Sequence, residues 1–79
     1  MVVKDKVYEI VARKLKKQVT DLNDETNLKK DLGADSIDTV EIVFEVEEFY
    51  GIAIEDEYAN LIHTIGDAIQ CVQEHVDKL

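Results

Sequence analysis

Apolar residues recur at three- and four-residue spacing along most of this chain. There is no proline, and there are only three glycines in 79 residues. No stretch alternates apolar and polar residues convincingly as a half-buried strand would, so helical periodicity dominates. The sequence therefore predicts an all-α fold, a four-helix bundle of three longer helices and a short third one around a shared core. No repeat, low-complexity run or linker appears, which predicts a single domain over residues 1–79. A core in a chain this short is limited and its stability modest.

The first helix is expected over about Lys4 to Lys17, with Val3, Val7, Ile10, Val11 and Leu15 on one face. Lys14, Lys16 and Lys17 near its end suit the helix dipole. That basic cluster is either a solvated face or a weak patch for an anionic partner. Residues 18–35 form a long connection, with Val19, Leu22, Leu28 and Leu32 expected to tuck into the core. Asp21-x-Asn23-x-Glu25 hints at a calcium loop. Thr26 and Leu32 stand where the loop needs glycine and a bidentate glutamate, however.

A second helix is expected from Ser36 to Tyr50. Asp35 is a suitable N-cap, and Asp38 is its partner in a capping-box arrangement. Ser36, the only serine in the chain, falls in the first turn beside backbone N–H groups that lack intrahelical partners. A helix start tolerates an anion, so a phosphate attached there is electrostatically acceptable. On these residues alone Ser36 is either part of an ordinary cap or a functional hydroxyl. Along the helix, Asp38, Glu41, Glu45 and Glu48 line up as an acidic stripe. Val43, Val46 and Tyr50 make the core face, flanked by Ile42 and Phe49, while Ile37, Val40 and Phe44 lie beside the acids and are expected to be part exposed. Such a helix is either a buried one with a solvated strip or a docking helix, with apolar contact for affinity and charge for steering.

Gly51 marks the stop of that helix. Residues 52–55 are expected as loop, followed by a brief helix from about Asp56 to Ile62 with Tyr58, Leu61 and Ile62 able to point inward. Thr64-x-x-Asp67 is a capping box for a last helix over about Ile65 to Lys78. Its apolar stripe is Ile65, Ala68, Ile69, Val72, Val76 and Leu79.

Charge is distributed unevenly. Residues 1–30 hold eight Lys/Arg against five Asp/Glu, and residues 31–79 hold one against thirteen, so the halves carry +3 and −12 of the net −9. An acidic C-terminal part disfavours nucleic acid and anionic lipid as partners and favours basic protein patches. No stretch approaches transmembrane length. The start, Met1 to Lys6, lacks the apolar run and cleavage site of a signal peptide, and one cysteine fits a reducing compartment. A cytoplasmic monomer is expected.

Enzyme chemistry finds little support. His63 and His75 with Cys71 between them do not have zinc-ligand spacing, so no metal site is expected. His63 is expected at a helix end, His75 on the surface and Cys71 in packing. There is no nucleophile elbow and no phosphate-cradling glycine loop.

The run Asp31-Leu32-Gly33-Ala34-Asp35-Ser36-Ile37-Asp38-Thr39-Val40-Glu41 closely resembles the prosthetic-group attachment region of acyl carrier proteins. In that family the serine of an Asp-Ser-Leu motif carries 4′-phosphopantetheine; here Ile37 stands in the leucine position, a swap that keeps volume and apolarity. Similarity continues through Glu47-Glu48, Gly51-Ile52-Ala53-Ile54 and Thr64-Ile65-Gly66-Asp67-Ala68, and is looser over the first thirty residues. Proline, often found near Glu55 in the family, is absent here.

The resemblance implies a carrier, not an enzyme, of type II fatty-acid synthesis. A phosphopantetheinyl transferase would load Ser36 from coenzyme A, and growing acyl chains would ride on the arm as thioesters. Asp35, Asp38, Glu41, Glu45, Glu47 and Glu48 would meet basic docking patches on fatty-acid synthesis enzymes, with Ile37, Val40 and Phe44 adding apolar contact. Glu45 occupies a position that is often small and neutral in the family. Ile54, Ile62 and Ala68 would line a shelter for the acyl chain. The alternatives are a carrier for a polyketide, aminoacyl or lipid A precursor group, and an acidic helical interaction domain that is never modified.

Overall fold

The computed structural model describes residues 3–78. Among them lie helices α1 (Val3–Leu15), α2 (Ser36–Tyr50), α3 (Asp56–Ala59) and α4 (Ile65–Asp77), a 3₁₀ turn at Val19–Asp21, and no strand. The expected four-helix bundle of three longer helices and one short one is what forms. Leu79, expected on the last helix's stripe, lies outside the described residues.

The bundle closes around α1, which packs against both α2 and α4. Val7 and Val11 are fully buried, and Val3 and Ile10 nearly so, as the periodicity requires. Tyr8 and Ala12 join them, because a helix flanked on two sides buries a broader face than a single stripe. Ile65 and Val72 of α4, Ile42 and Val46 of α2, and Leu28 of the long loop complete the interior. Each such side chain contributes roughly 1.5–3 kcal/mol by leaving water.

α1 ends two residues earlier than its periodicity suggests. Lys16 takes a left-handed conformation (φ 58°). The Lys17 N–H then reaches the Ala12 carbonyl at 2.8 Å, and the Lys16 N–H faces the Arg13 carbonyl at 3.4 Å. This is a Schellman closure made without glycine. Lys16 and Lys17 therefore lie beyond the helix.

The long loop is held by polar stitching as well as by apolar residues. Tyr8 Oη donates to Asp24 Oδ1 at 2.6 Å, and buried Thr26 accepts the Asn23 N–H on its hydroxyl. An isolated antiparallel bridge pairs Asn27 with Thr64. Around it the Leu28 N–H donates to the His63 carbonyl, the Ile65 N–H to Thr26, and the Gly66 N–H to Asp24. At Gly66 a Cβ would sit 2.9 Å from the Asp24 carbonyl oxygen, so only glycine lets the loop approach the start of α4 this closely. Leu22 and Leu28 are buried and Leu32 packs against the core. Val19 is not among them: it sits in the 3₁₀ turn and stays 48% exposed.

α3 is shorter than expected. Ile62 is buried, but Tyr58 and Leu61 point outward, since a single turn followed by bends presents only one inward position. Tyr58 instead packs edge-on against His75, 5.2 Å between rings. His75 is accordingly half-buried and not a free surface residue, and its Nδ1 lies 2.7 Å from the Cys71 carbonyl.

Candidate functional site

α2 begins at Ser36 because Asp35 caps it. The Asp35 carboxylate accepts the Asp38 N–H at 2.8 Å, and the Asp38 carboxylate faces the Asp35 N–H at 3.3 Å. The Thr39 hydroxyl also donates to the Asp35 carbonyl at 3.1 Å. The capping duty falls wholly on these neighbours. Ser36 is exposed, in the first turn, and the capping box is made without its hydroxyl. At the far end Gly51 adopts φ 67° and lets the chain turn back, with the Ile52 N–H bonded to the Glu47 carbonyl.

A groove of about 410 Å³ opens beside Ser36, between α2 and the α3 region. Thr39, Val40, Val43 and Phe44 form one wall; Ile54, Ala59 and Ile62 form the other. Behind it lies an interior gap of about 10 Å³ that shares Thr39, Val43, Ile54 and Ile62 as walls and reaches Ala68 and Val72. That gap is no larger than the minimum for one water molecule. Of the residues expected to shelter an acyl chain, Ile54 and Ile62 line both spaces, while Ala68 lies only at the inner one. Val43, Thr39 and Ala59 are further lining residues without a sequence signal, because the groove exists only once α3 is folded against α2.

The outward side of α2 is apolar at three points. Ile37 is 69%, Val40 49% and Phe44 61% exposed. Asp35, Glu41 and Glu48 are exposed around them, and Asp38 is half-exposed. Glu45 and Glu47 are different. Glu45 takes Arg13 at 2.6 Å and Lys14 at 3.5 Å, tying α2 to α1. Glu47 Oε2 accepts the Ile54 N–H at 2.7 Å and pins the loop that forms the groove's far wall. Both carboxylates thus have partners within the chain. Phe49, expected to flank the core, is 48% exposed and lies under the Lys6 ammonium, 4.2 Å from the ring centre.

The pKa shifts fall away from Ser36 and have structural causes. Burial pushes the Tyr8 phenol up to about 12, with the Asp24 hydrogen bond adding to it. Backbone N–H groups of His63 and Thr64 hold the Asp67 carboxyl below its ordinary value. Burial raises the Cys71 thiol. None of these groups sits in a catalytic arrangement with Ser36. Among the described residues no group of three His, Cys, Asp or Glu side chains is placed to hold a metal ion.

Residues 5–72 match the family model for the phosphopantetheine attachment site. The chain belongs to the acyl carrier protein family. Solved relatives agree with this. An acyl carrier protein from Enterococcus faecalis is 35% identical, with a TM-score of 0.80, covering 95% of this chain and 99% of its own. One from Thermotoga maritima is 31% identical, with a TM-score of 0.80 and coverage of 94% and 86%. A Mycobacterium tuberculosis protein described as an acyl carrier protein is 26% identical, with a TM-score of 0.86 and coverage of 92% and 97%. Members of this family are carriers, not enzymes, and their prosthetic group is covalent 4′-phosphopantetheine. Its role is to supply a terminal thiol on which acyl groups ride as thioesters. The residues at the start of α2 fit such a group: an exposed hydroxyl, N–H groups of a helix start, and an open apolar groove alongside.

Proposed function

We propose that this carrier serves fatty-acid synthesis and that Ser36 Oγ is its attachment point. The observation that supports the reading most directly is the placement of the chain's only serine, exposed at the mouth of a helix that its neighbours cap, beside an apolar groove. A transferase would join Ser36 Oγ to the phosphorus of the pantetheine phosphate of coenzyme A. The nucleotide half leaves, and the hydroxyl proton passes to the enzyme or to solvent. The chain's own part is to present the hydroxyl, hold the helix start rigid and accept the added charge.

Docking rests on α2. Ile37, Val40 and Phe44 offer apolar contact, and Asp35, Asp38, Glu41 and Glu48 offer charge to lysines and arginines around a partner's active-site mouth. Charges at such a rim tune association rate and salt dependence, which suits a fast and reversible shuttle. Glu45 and Glu47 add to the field but are already bonded within the chain. The acyl chain would enter the groove and pass Ile54 and Ile62 toward Ala68, parting the walls, because the inner gap as it stands is too small. A single domain, a monomeric state and a cytoplasmic setting complete the reading, supported by one continuous core, strong self-repulsion and one unpaired cysteine. Among the described residues no helix is long and apolar enough to cross a membrane.

The test is intact mass after incubation with coenzyme A and a phosphopantetheinyl transferase. One phosphopantetheine is gained, and Ser36→Ala gains none. Turnover by a fatty-acid ketosynthase then separates this carrier from one for polyketide, aminoacyl or lipid A precursor groups.

A further inference from the structure

The lining of the groove brings together two residues far apart in sequence. Lys29 comes from the loop before α2, and His63 from the turn before α4. They are held side by side by backbone: Leu28 N–H bonds the His63 carbonyl at 2.9 Å, next to the Asn27–Thr64 bridge. Both side chains are exposed. The groove lining contains no other lysine, arginine or histidine. Its two acids are Glu47, which accepts the Ile54 N–H, and Asp56, at the start of α3. Asp67, whose carboxylate accepts the His63 N–H, faces His63 from α4.

A phosphodiester on Ser36 adds a negative charge to a protein already at −9, between two capping carboxylates. The Asp38 N–H is already taken by Asp35, so the helix start offers only part of its donors. Any fixed positive charge to meet it comes from outside α2, since from Asp31 to Asp77 the chain has no lysine or arginine. We propose that Lys29, through its ammonium, and His63, through a ring N–H, form a polar lip that pairs with the phosphodiester at Ser36 and lays the attached arm along the groove. This rests on Ser36 being the attachment point. Lys29 and His63 are positioning residues; they take no part in the transfer itself.

The experiment compares wild type, Lys29→Gln, His63→Gln and Lys30→Gln. Each is prepared unmodified and loaded, with loading established by intact mass. Melting temperatures are read at low salt, where charge interactions at a surface are least screened. Lys30 neighbours Lys29 but does not line the groove. The loaded-minus-unloaded difference is expected to fall by about 1–4 °C in Lys29→Gln and in His63→Gln, the effect of one exposed charge-assisted contact in a small domain. It is expected to stay at the wild-type value in Lys30→Gln. The ³¹P resonance of the loaded protein should move in the first two variants only. Equal differences in all four proteins, or a fall in Lys30→Gln matching that in Lys29→Gln, overturns the lip and leaves the attachment reading intact. Absence of any mass gain on wild type takes down both.

Discussion

Asp67 shows how one carboxylate can fix a junction. Its Oδ2 accepts the N–H groups of His63 and Thr64 at 3.0 and 3.1 Å, while Thr64 Oγ1 accepts the Asp67 N–H at 3.0 Å. These contacts favour the ionised form, so the folded-state pKa lies below the ordinary value of 3.8. The unfolded chain therefore binds the proton first as pH falls. The stabilisation is fully present above the unfolded pKa and is lost as pH drops through the folded one. Asp67→Ala should cost about 1 kcal/mol at pH 7, in line with other cap and charged hydrogen bonds. The gap to wild type should close in acid. Urea titrations of both proteins at pH 7 and pH 3 measure this; an undiminished gap at pH 3 would mean the charge is not what matters.

Tyr8 runs in the opposite direction. Its phenol is held neutral to about 12, so the folded state keeps a proton that the unfolded chain gives up near the ordinary value of 10.0. Its contribution is complete below pH 10 and lost as pH climbs through 12. Tyr8→Phe should lessen the loss of stability between those values, followed by circular dichroism across the alkaline range.

At the scale of elements, the end of α1 invites a change. Lys16 is the only non-glycine residue with positive φ among those described, and that region penalises a side chain with a Cβ. Lys16→Gly should raise stability by about 0.5–1 kcal/mol, a gain of a few degrees in Tm. Lys16→Ala, which keeps the Cβ, should not share it. A calorimetric scan of the three proteins decides the matter.

Helix ends were legible in the sequence where their signals are local. The Asp35 and Thr64 boxes set the starts of α2 and α4, and Gly51 set the close of α2. The inner stripes of α1 and α4 followed from periodicity alone. The outward turn of Val19, Tyr58 and Leu61 was not legible. A loop residue's direction depends on what the loop is stitched to, and here that is a bridge between residues 27 and 64. The same holds for Glu45 and Glu47, whose partners lie 32 and 7 residues away. Helical spacing places Glu45 on the acidic stripe, and the family resemblance adds Glu47 to the docking acids, while only the packed bundle reveals Arg13 and the Ile54 N–H.

The whole molecule carries its charge in two unequal parts, −12 of it over residues 31–79. Mutual repulsion among those carboxylates opposes compaction, and exposed pairs such as Lys4 with Asp24 offset little of it. Added salt or millimolar magnesium should therefore raise Tm by several degrees. A Tm that does not move between low salt and magnesium would show that the acids are too well separated to strain the fold.

The division of labour at the start of α2 has a consequence for how such a protein is used. Asp35 and Asp38 secure the helix without help from Ser36. With Ser36 as the proposed attachment point, an arm hung there could be put on, exchanged or stripped away while the architecture beneath stays the same. One pool of ready-folded molecules would then serve in both the bare and the loaded state.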